Sequence, residues 1–499
     1  MTYLRHVRTA LGTALLAATI LSGAAAQATP EKLTVALSGD FPSLDPSKDT
    51  SPIGLNYRLN VFEALTQIGK KGEVIPQVAE SWTHSDDLKT WTFKLRPGVK
   101  FHNGYDLTAS DVKWTVERIL ADDKTPVRNF LKLVDKVEAP DDLTVVFHIK
   151  AAYAIFDRQT KYTYVMSKKY WEEVGDAGYA TKPVGTGPYK MVEWIKDDRM
   201  VLEAFDGWWG GDLPVKQATF RPIPSDAGRA NALLSGEVDI VPDLPPSLVP
   251  MLQGKDDLVV AAESGFRVAY LGMNPTVAPF NNAKLREAVD YAIDREAIAT
   301  KLMRGTGKAT GIIIPPNNEG YTADFPPVKY DPAKAKALVK ESGYDGTPVV
   351  MDYPNNNFAL ANEQAQAIAG YLKEAGINVQ LNSLEFTAYF PKWVQNKLDK
   401  MTFFAFGSSQ FHAETILGTM YEAGTHNWSA DPELDKLVKA QREEADKAKQ
   451  QALITEVFRK GNQMREFLPL WDINLVYGAK KTAEYSPFPD GIIRLESFK

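Results

Sequence analysis

A chain of 499 residues without a cysteine excludes a disulfide framework, a thiol nucleophile and a lipid-modified cysteine as membrane tether. With 57 Lys and Arg against 63 Asp and Glu, a formal net charge of −6 and no long basic cluster, nucleic acid and an anionic membrane surface are disfavoured as main partners. The length exceeds what one hydrophobic core holds and calls for two large lobes, one of them open to subdivision.

At the N-terminus, Arg5 and Arg8 precede an apolar run from Ala10 to Ile20, and small residues follow up to Ala28. This is the pattern of a secretory signal peptide over residues 1–28, with cleavage after Ala28 or Ala26. No later segment approaches the roughly 20 apolar residues that a bilayer requires, so an exported chain without stable membrane insertion is expected.

Leu33 to Leu37 predicts a first strand. From Thr90 to Leu95, Trp91, Phe93 and Leu95 alternate with Thr92 and Lys94, the period of a half-buried strand; Pro97-Gly98 turns it, and Val99 and Phe101 predict a short second strand. Thr108 and Asp111 form a capping box ahead of Val112, Val116, Ile119 and Leu120 on one helical face. Leu143 to Ile149 alternates as a further strand. Leu285, Ala288, Val289, Ala292 and Ile293 lie at helical spacing, and Asp331-Pro332 starts a helix ending near Gly343. Ala365, Ile368, Ala369 and Leu372 predict another, stopped by Gly376 before a strand through Ile377, Val379 and Leu381. Strands alternating with helices indicate α/β lobes.

Motifs for chemistry are missing. The chain has no Gly-x-Ser-x-Gly, His-Glu-x-x-His, Walker A or Gly-x-Gly-x-x-Gly. Gly185-Thr-Gly187 is a fragment, and Gly305 to Lys308 has the wrong spacing for a phosphate loop; both suit turns. His412 and Glu414 could supply two metal ligands, too few for a site on their own, while His84, His102, His148 and His426 stand alone. No catalytic residue, metal site or cofactor is therefore expected. Ten Trp and twenty Tyr serve cores or line a pocket for an amphipathic ligand; Trp208-Trp209 and Phe403, Phe404 and Phe406 are open to either role.

The combination Ala79-Glu-x-Trp82, an alternating strand, Arg96-x-Gly-Val-x-Phe-His-x-Gly104 and a helix opening with Ala109-x-Asp-Val112 resembles extracellular solute-binding protein family 5, the dipeptide-, oligopeptide- and nickel-type receptors of bacterial ABC importers. Matching blocks follow in the same order: Pro183 to Lys190, Gly236 to Ile240, Met273-Asn274 with Pro279-Phe280, Leu285 to Ala288, Ala292 to Arg295, Tyr330 to Ala333, and Asp435 to Leu437. The resemblance implies an α/β, two-lobed periplasmic-binding-protein type II (cluster C) fold with mixed sheets, flanking helices and two hinge crossings. Lobe I would take 29–270 plus 477–499, with a subdomain at about 76–194, and lobe II would take 271–476. The crossings would be Val268 to Asn274 and Leu475 to Gly478. It further implies a monomeric, periplasmic receptor that delivers a polar small-molecule solute, a peptide, an oligosaccharide or an opine-like conjugate, to an inner-membrane ABC permease. A periplasmic hydrolase on the same scaffold and a nickel-chelate receptor are the alternatives.

Peptide-binding members of the family carry an aromatic residue and, three residues on, an aspartate for the peptide's amino terminus. Here those positions fall on Phe406 and Ser409. The arginine that forks onto the peptide carboxylate in dipeptide receptors falls on Asn355. Both changes replace a charge by a neutral hydrogen-bonding group, which suits a ligand without a free zwitterionic backbone, such as an oligosaccharide or opine-like conjugate. By the same resemblance, Asn355, Asn357, Ser408, Ser409, Gln410 and His412 would form the polar lining, Phe406 and Trp428 the stacking surfaces, and Thr50 and Ser51 the contribution of the first lobe.

Overall fold

The computed structural model describes residues 31–425 and 428–498; the expected signal segment and His426 lie outside the described residues. Two long strands, Leu258–Met273 and Phe467–Lys480, pair antiparallel along most of their length and carry the remainder of one ten-stranded mixed sheet on their two ends. At one end, Ile240–Val241 pairs with Ala479 and Gly478 and is followed by Lys32–Leu37, Gln217–Pro222, Arg199–Ala204 and Tyr189–Ile195. At the other end, Arg267 to Met273 pairs with Met401–Gly407, next to Val349–Pro354 and the edge strand Val379–Leu384.

The ladder between the long strands breaks between Ser264 and Arg267, opposite Asn474 and Ile473. An irregularity of this kind bends the strand and ends one stretch of pairing before the next begins. Gly265 occupies the break because a Cβ there would come within 2.4 Å of the Ile473 carbonyl oxygen. The apolar cores divide at the same place. One cluster draws on residues from Val268 to Ile473, while two others draw on residues from Leu33 to Leu258 and from Val476 onward. A further core, from Leu65 to Val184, packs on a four-stranded antiparallel sheet of Ala79–His84, Thr90–Leu95, Thr144–Ile149 and Val134–Asp141.

Local patterning accounts for most elements. Trp91, Phe93 and Leu95 are buried on one face of their strand. The Thr108 backbone and hydroxyl both donate to Asp111 at 3.0 Å, closing the capping box of helix Ala109–Ala121. Helix Pro332–Ser342 stops at Gly343, whose φ of 69° lies in the left-handed region that glycine reaches without strain. The expected strand through Val99 and Phe101 does not form. Thr90–Leu95 already pairs with Ala79–His84 on one edge and Thr144–Ile149 on the other, so no edge remains, and Val99 and Phe101 are instead buried in a loop with a single bridge between Lys100 and Asp106.

The open aromatic positions resolve into packing. Phe403 packs against Phe358 and Trp471 on one face of its strand, Phe404 against Tyr389 and Trp393 on the other. The indole N–H groups of Trp208 and Trp209 both donate to Glu63, whose carboxyl is pushed up to about 7 by burial. This pair anchors a buried acid.

Candidate functional site

Two cavities open between the halves of the molecule. The larger, about 440 Å³, is floored by Ile473 to Val476 at the strand crossing and lined by Asp243 and Arg229 from one half and Arg267, Asn355 and Asn357 from the other. The smaller, about 70 Å³, has Asp49, Thr50, Arg58, Lys161 and Tyr162 on one side and Ser409 on the other. A third cavity of about 340 Å³ lies wholly within the 268–473 half, where Asp290, Arg295 and Arg465 satisfy one another as ion pairs.

In the larger cavity, the turn after strand Val349–Pro354 is pinned by its middle residue. The Asn356 side chain donates to Glu385 at 2.5 Å and accepts from the Phe386 backbone at 2.8 Å. Its neighbours are left over: the Oδ1 atoms of Asn355 and Asn357 are buried without a hydrogen-bond partner among the described residues, as is Oδ1 of Asn474 on the cavity floor. An unsatisfied buried acceptor costs about 1–3 kcal/mol, a cost that a donating ligand removes. Arg267 enters from the neighbouring strand and donates to the Asn357 carbonyl at 3.1 Å. Burial holds its guanidinium below the usual range, and the charge of Asp243 works against that. Position 355 is therefore neutral, as aligned, while the cavity around it contains a cation.

The loop after Met401–Gly407 spends most of its polar groups on itself. Phe411 donates its N–H to the Ser408 carbonyl at 2.9 Å, Ser408 Oγ donates to Thr415 at 3.0 Å, and Gln410 Oε1 accepts from the Thr415 hydroxyl at 3.1 Å. His412 accepts from the Glu414 backbone at 3.0 Å through Nδ1, and its Nε2 faces Gln450 at 3.4 Å. Burial and then the charge of Arg158 bring its pKa down to about 3. Ser408, Gln410 and His412 thus build the loop, and none of them lines either cavity.

Ser409 alone in that loop presents its side chain across the cleft. Its hydroxyl lies 2.8 Å from the Tyr162 hydroxyl, and its carbonyl accepts from Lys161 Nζ. Beside it, Arg158 reaches from the first half to donate to the carbonyls of Gly72 (2.8 Å), Gln410 (2.7 Å) and Phe411 (3.2 Å) and pairs with Glu319. Thr50 lines the smaller cavity. Ser51 caps helix Pro52–Val61 by accepting from Gly54 at 3.1 Å and donates to Asp49 at 2.9 Å; Asp49 in turn holds buried Arg58 at 2.7 Å.

Phe406 is half-buried against Trp393, at 5.1 Å between centroids. Trp428 stacks on Phe467 at 5.5 Å and lies beside Gly272, roughly 17 Å along the strand from Arg267 at ~3.3 Å per residue. The structure thus brings Asn355 and Asn357 into one cavity and Thr50 and Ser409 into the other, and leaves Trp428 and His412 apart. Arg267, Lys161, Tyr162 and Asn474 escaped the sequence reading because no motif contains them. The available signal was a charge inside an apolar run: Arg267 before Val268-Ala-Tyr-Leu271, and Lys161 before Tyr162-Thr-Tyr164. Among the described residues no group of three or more His, Asp or Glu is placed to hold a metal ion.

The geometry agrees with what known proteins show. A family model described as bacterial extracellular solute-binding proteins, family 5 Middle, matches residues 73–428. The glutathione-binding protein GsiB of Pectobacterium atrosepticum is 32% identical over 360 residues, 70% of this chain and 69% of that protein. Among solved structures, the PBP AgaA from A.tumefacien R10 in complex with agropinic acid shares 26% identity at a TM-score of 0.72, covering 90% of this chain and 93% of its own. NikA from Brucella suis in complex with Fe(III)-EDTA shares 21% identity at a TM-score of 0.84, covering 94% and 99%, a likeness of fold. The fold is that of the type II periplasmic binding proteins, two-lobed and mixed α/β with flanking helices.

Proposed function

This chain belongs to family 5 of the bacterial extracellular solute-binding proteins, and on that premise we propose that it is a monomeric periplasmic receptor that hands a polar conjugate to an inner-membrane ABC importer. Among the described residues no helix is long and apolar enough to cross a membrane. The carrying observation is the trio of buried, unpartnered amide oxygens of Asn355, Asn357 and Asn474 around the 440 Å³ cavity. Glutathione for one relative and agropinic acid for one solved structure support a solute of amino-acid-conjugate type.

The mechanism is closure, with no bond made or broken. Lobe I pivots against lobe II where the ladder between the two long strands shifts register, at Ser264 to Arg267 opposite Asn474 and Ile473, a few residues before the crossings expected from sequence. A solute that donates to the amide oxygens of Asn355 and Asn357 on one half and reaches Asp243 and Arg229 on the other contacts both sides only in the closed form. Its binding then shifts the open–closed equilibrium by that difference in affinity.

The test is calorimetry and thermal unfolding with glutathione, mannopinic acid, short peptides and raffinose, together with solution scattering and mass spectrometry of the solute after incubation. The expected result is a raised Tm with at least one conjugate, a smaller radius of gyration and an unchanged solute mass. A solute cleaved during incubation, or no binding to any probe, overturns the reading.

A further inference from the structure

Resting on the receptor reading above, we infer that the Ser409 end of the cleft takes a carboxylate of the solute, with Lys161 as its counter-ion and Ser409 and Tyr162 as hydroxyl partners. The sign of this end is thereby inverted relative to the aspartate that peptide-binding members of the family place at the same position.

Both acids that line the 70 Å³ cavity are already engaged by arginines. Asp49 is taken by Arg58 at 2.7 Å, and Asp490 by both nitrogens of Arg494 at 2.9 and 2.5 Å. Arg158 is taken by Glu319. Among the described residues, Lys161 is left without a carboxylate paired to it. An ammonium has three donors, and the Ser409 carbonyl accepts from Lys161 Nζ. Burial accordingly lowers the Lys161 pKa to about 7, with Asp490 opposing that and Arg494 and Arg158 reinforcing it.

The cavity itself is small but sufficient. A water needs roughly 10–15 Å³, so about 70 Å³ admits a group of a few heavy atoms such as a carboxylate. The hydroxyls are held for it: Tyr162 is stacked on Phe130 with centroids 3.8 Å apart and planes at 12°, and its oxygen already meets Ser409. A peptide ammonium in this place would face Lys161 at like charge. A carboxylate would complete its coordination with charge-assisted hydrogen bonds. The neutral ligand expected from Ser409 and Asn355 in the alignment thus gives way to an acidic one, since the replacement charges enter from Lys161 and Arg267, outside the aligned positions.

The test uses the mature chain and matched probes: glutathione and mannopinic acid, the methyl esters of each, Ser-Thr-Ser-Ala, and raffinose. Calorimetry at pH 6.5 is expected to show at least one acid bound tenfold or more tighter than its ester, with Lys161→Met reducing that ratio below threefold and Lys161→Arg preserving it. At pH 8, binding of the acid should take up a proton that binding of the ester does not, read from enthalpies in buffers of different ionisation heat. The other groups facing Lys161 are Asp49, Arg58, Arg158, Tyr164, Asp490, Arg494 and Tyr162, and burial pushes both tyrosines up, away from this range. Equal binding of acid and ester, retention of the preference in Lys161→Met, or binding of raffinose or Ser-Thr-Ser-Ala in place of the acids overturns the inference and leaves the receptor reading standing. No binding of any probe overturns both. If Lys161→Met does not fold, proton uptake by the wild-type protein decides, and equal uptake for acid and ester overturns the inference.

Discussion

The two ends of the interlobe cleft are built on opposite principles. At the Ser409 end the lobes meet directly: Arg158 satisfies three backbone carbonyls and Glu319, and Lys161 and Tyr162 meet Ser409, leaving about 70 Å³. At the Asn355 end the lobes stand apart over about 440 Å³, and the amide oxygens of Asn355, Asn357 and Asn474 wait without partners. One end stabilises contact between the lobes chiefly through the protein's own groups and keeps only a small pocket beside Lys161 for a solute carboxylate, while the other stores hydrogen-bonding capacity that only a solute can use. A receptor that must close on cargo and reopen needs both, and the division says which substitutions act on closure and which on affinity.

The largest effect is expected at the latch. Arg158→Ala removes a buried cation, strips three carbonyls of a donor and leaves Glu319 with only Lys447, which corresponds to about 3–5 kcal/mol for breaking a buried charged network. Thermal unfolding should fall by several degrees, and scattering of the free protein should show a larger radius of gyration. An unchanged radius would place the latch outside the closure equilibrium.

Acid should loosen the same end. His412 has a folded pKa of about 3 against an ordinary value near 6.5, so the unfolded chain binds more protons between those values, and the stability from burying neutral His412 is lost as pH falls through that window. The slope from this one group is at most about 1.4 kcal/mol per pH unit. His412→Asn, compared with wild type by unfolding midpoints at pH 6.5 and pH 4, should show a shallower decline. Parallel declines would assign acid sensitivity elsewhere, with half-buried His102, also lowered to about 4 chiefly by desolvation, as the next group to replace.

At the open end the effect is smaller and appears only with solute. Asn355→Ala is expected to weaken binding by about 1 kcal/mol, or fivefold, while the free protein loses nothing, because the deleted oxygen has no partner to lose. A drop in the stability of the free protein would show that Asn355 supports the turn, as Asn356 does. Of similar size, Ser409→Ala removes the Tyr162 hydroxyl contact, about 0.5–1.5 kcal/mol. The contact from Lys161 to the backbone carbonyl remains, so discrimination between acid and ester in calorimetry should survive this change and fail in Lys161→Met.

Much of this architecture was legible in the chain. The capping box at Thr108 and Asp111, the alternating strand Thr90–Leu95 and the Pro332 to Gly343 helix depend on neighbours within a few residues, and each formed as its pattern required. Val99 and Phe101 did not form a strand because strand formation needs a free edge, and both edges of Thr90–Leu95 were occupied by segments before and after it in the chain. The site was legible only in part. Asn355, Asn357, Ser409 and Thr50 stood at positions that a family alignment can index; the first two line the larger cavity and the other two the smaller.

What the sequence determined by itself is therefore the local and the inherited: the signal-like N-terminus, the α/β alternation, the lack of cysteine chemistry, and the family with its two-lobed fold. What only the tertiary structure decided is which charges meet. Lys161 and Ser409 are 248 residues apart, Arg267 and Asn357 90 residues apart. A cation's effect on a ligand depends on distance and burial, which separation along the chain does not encode.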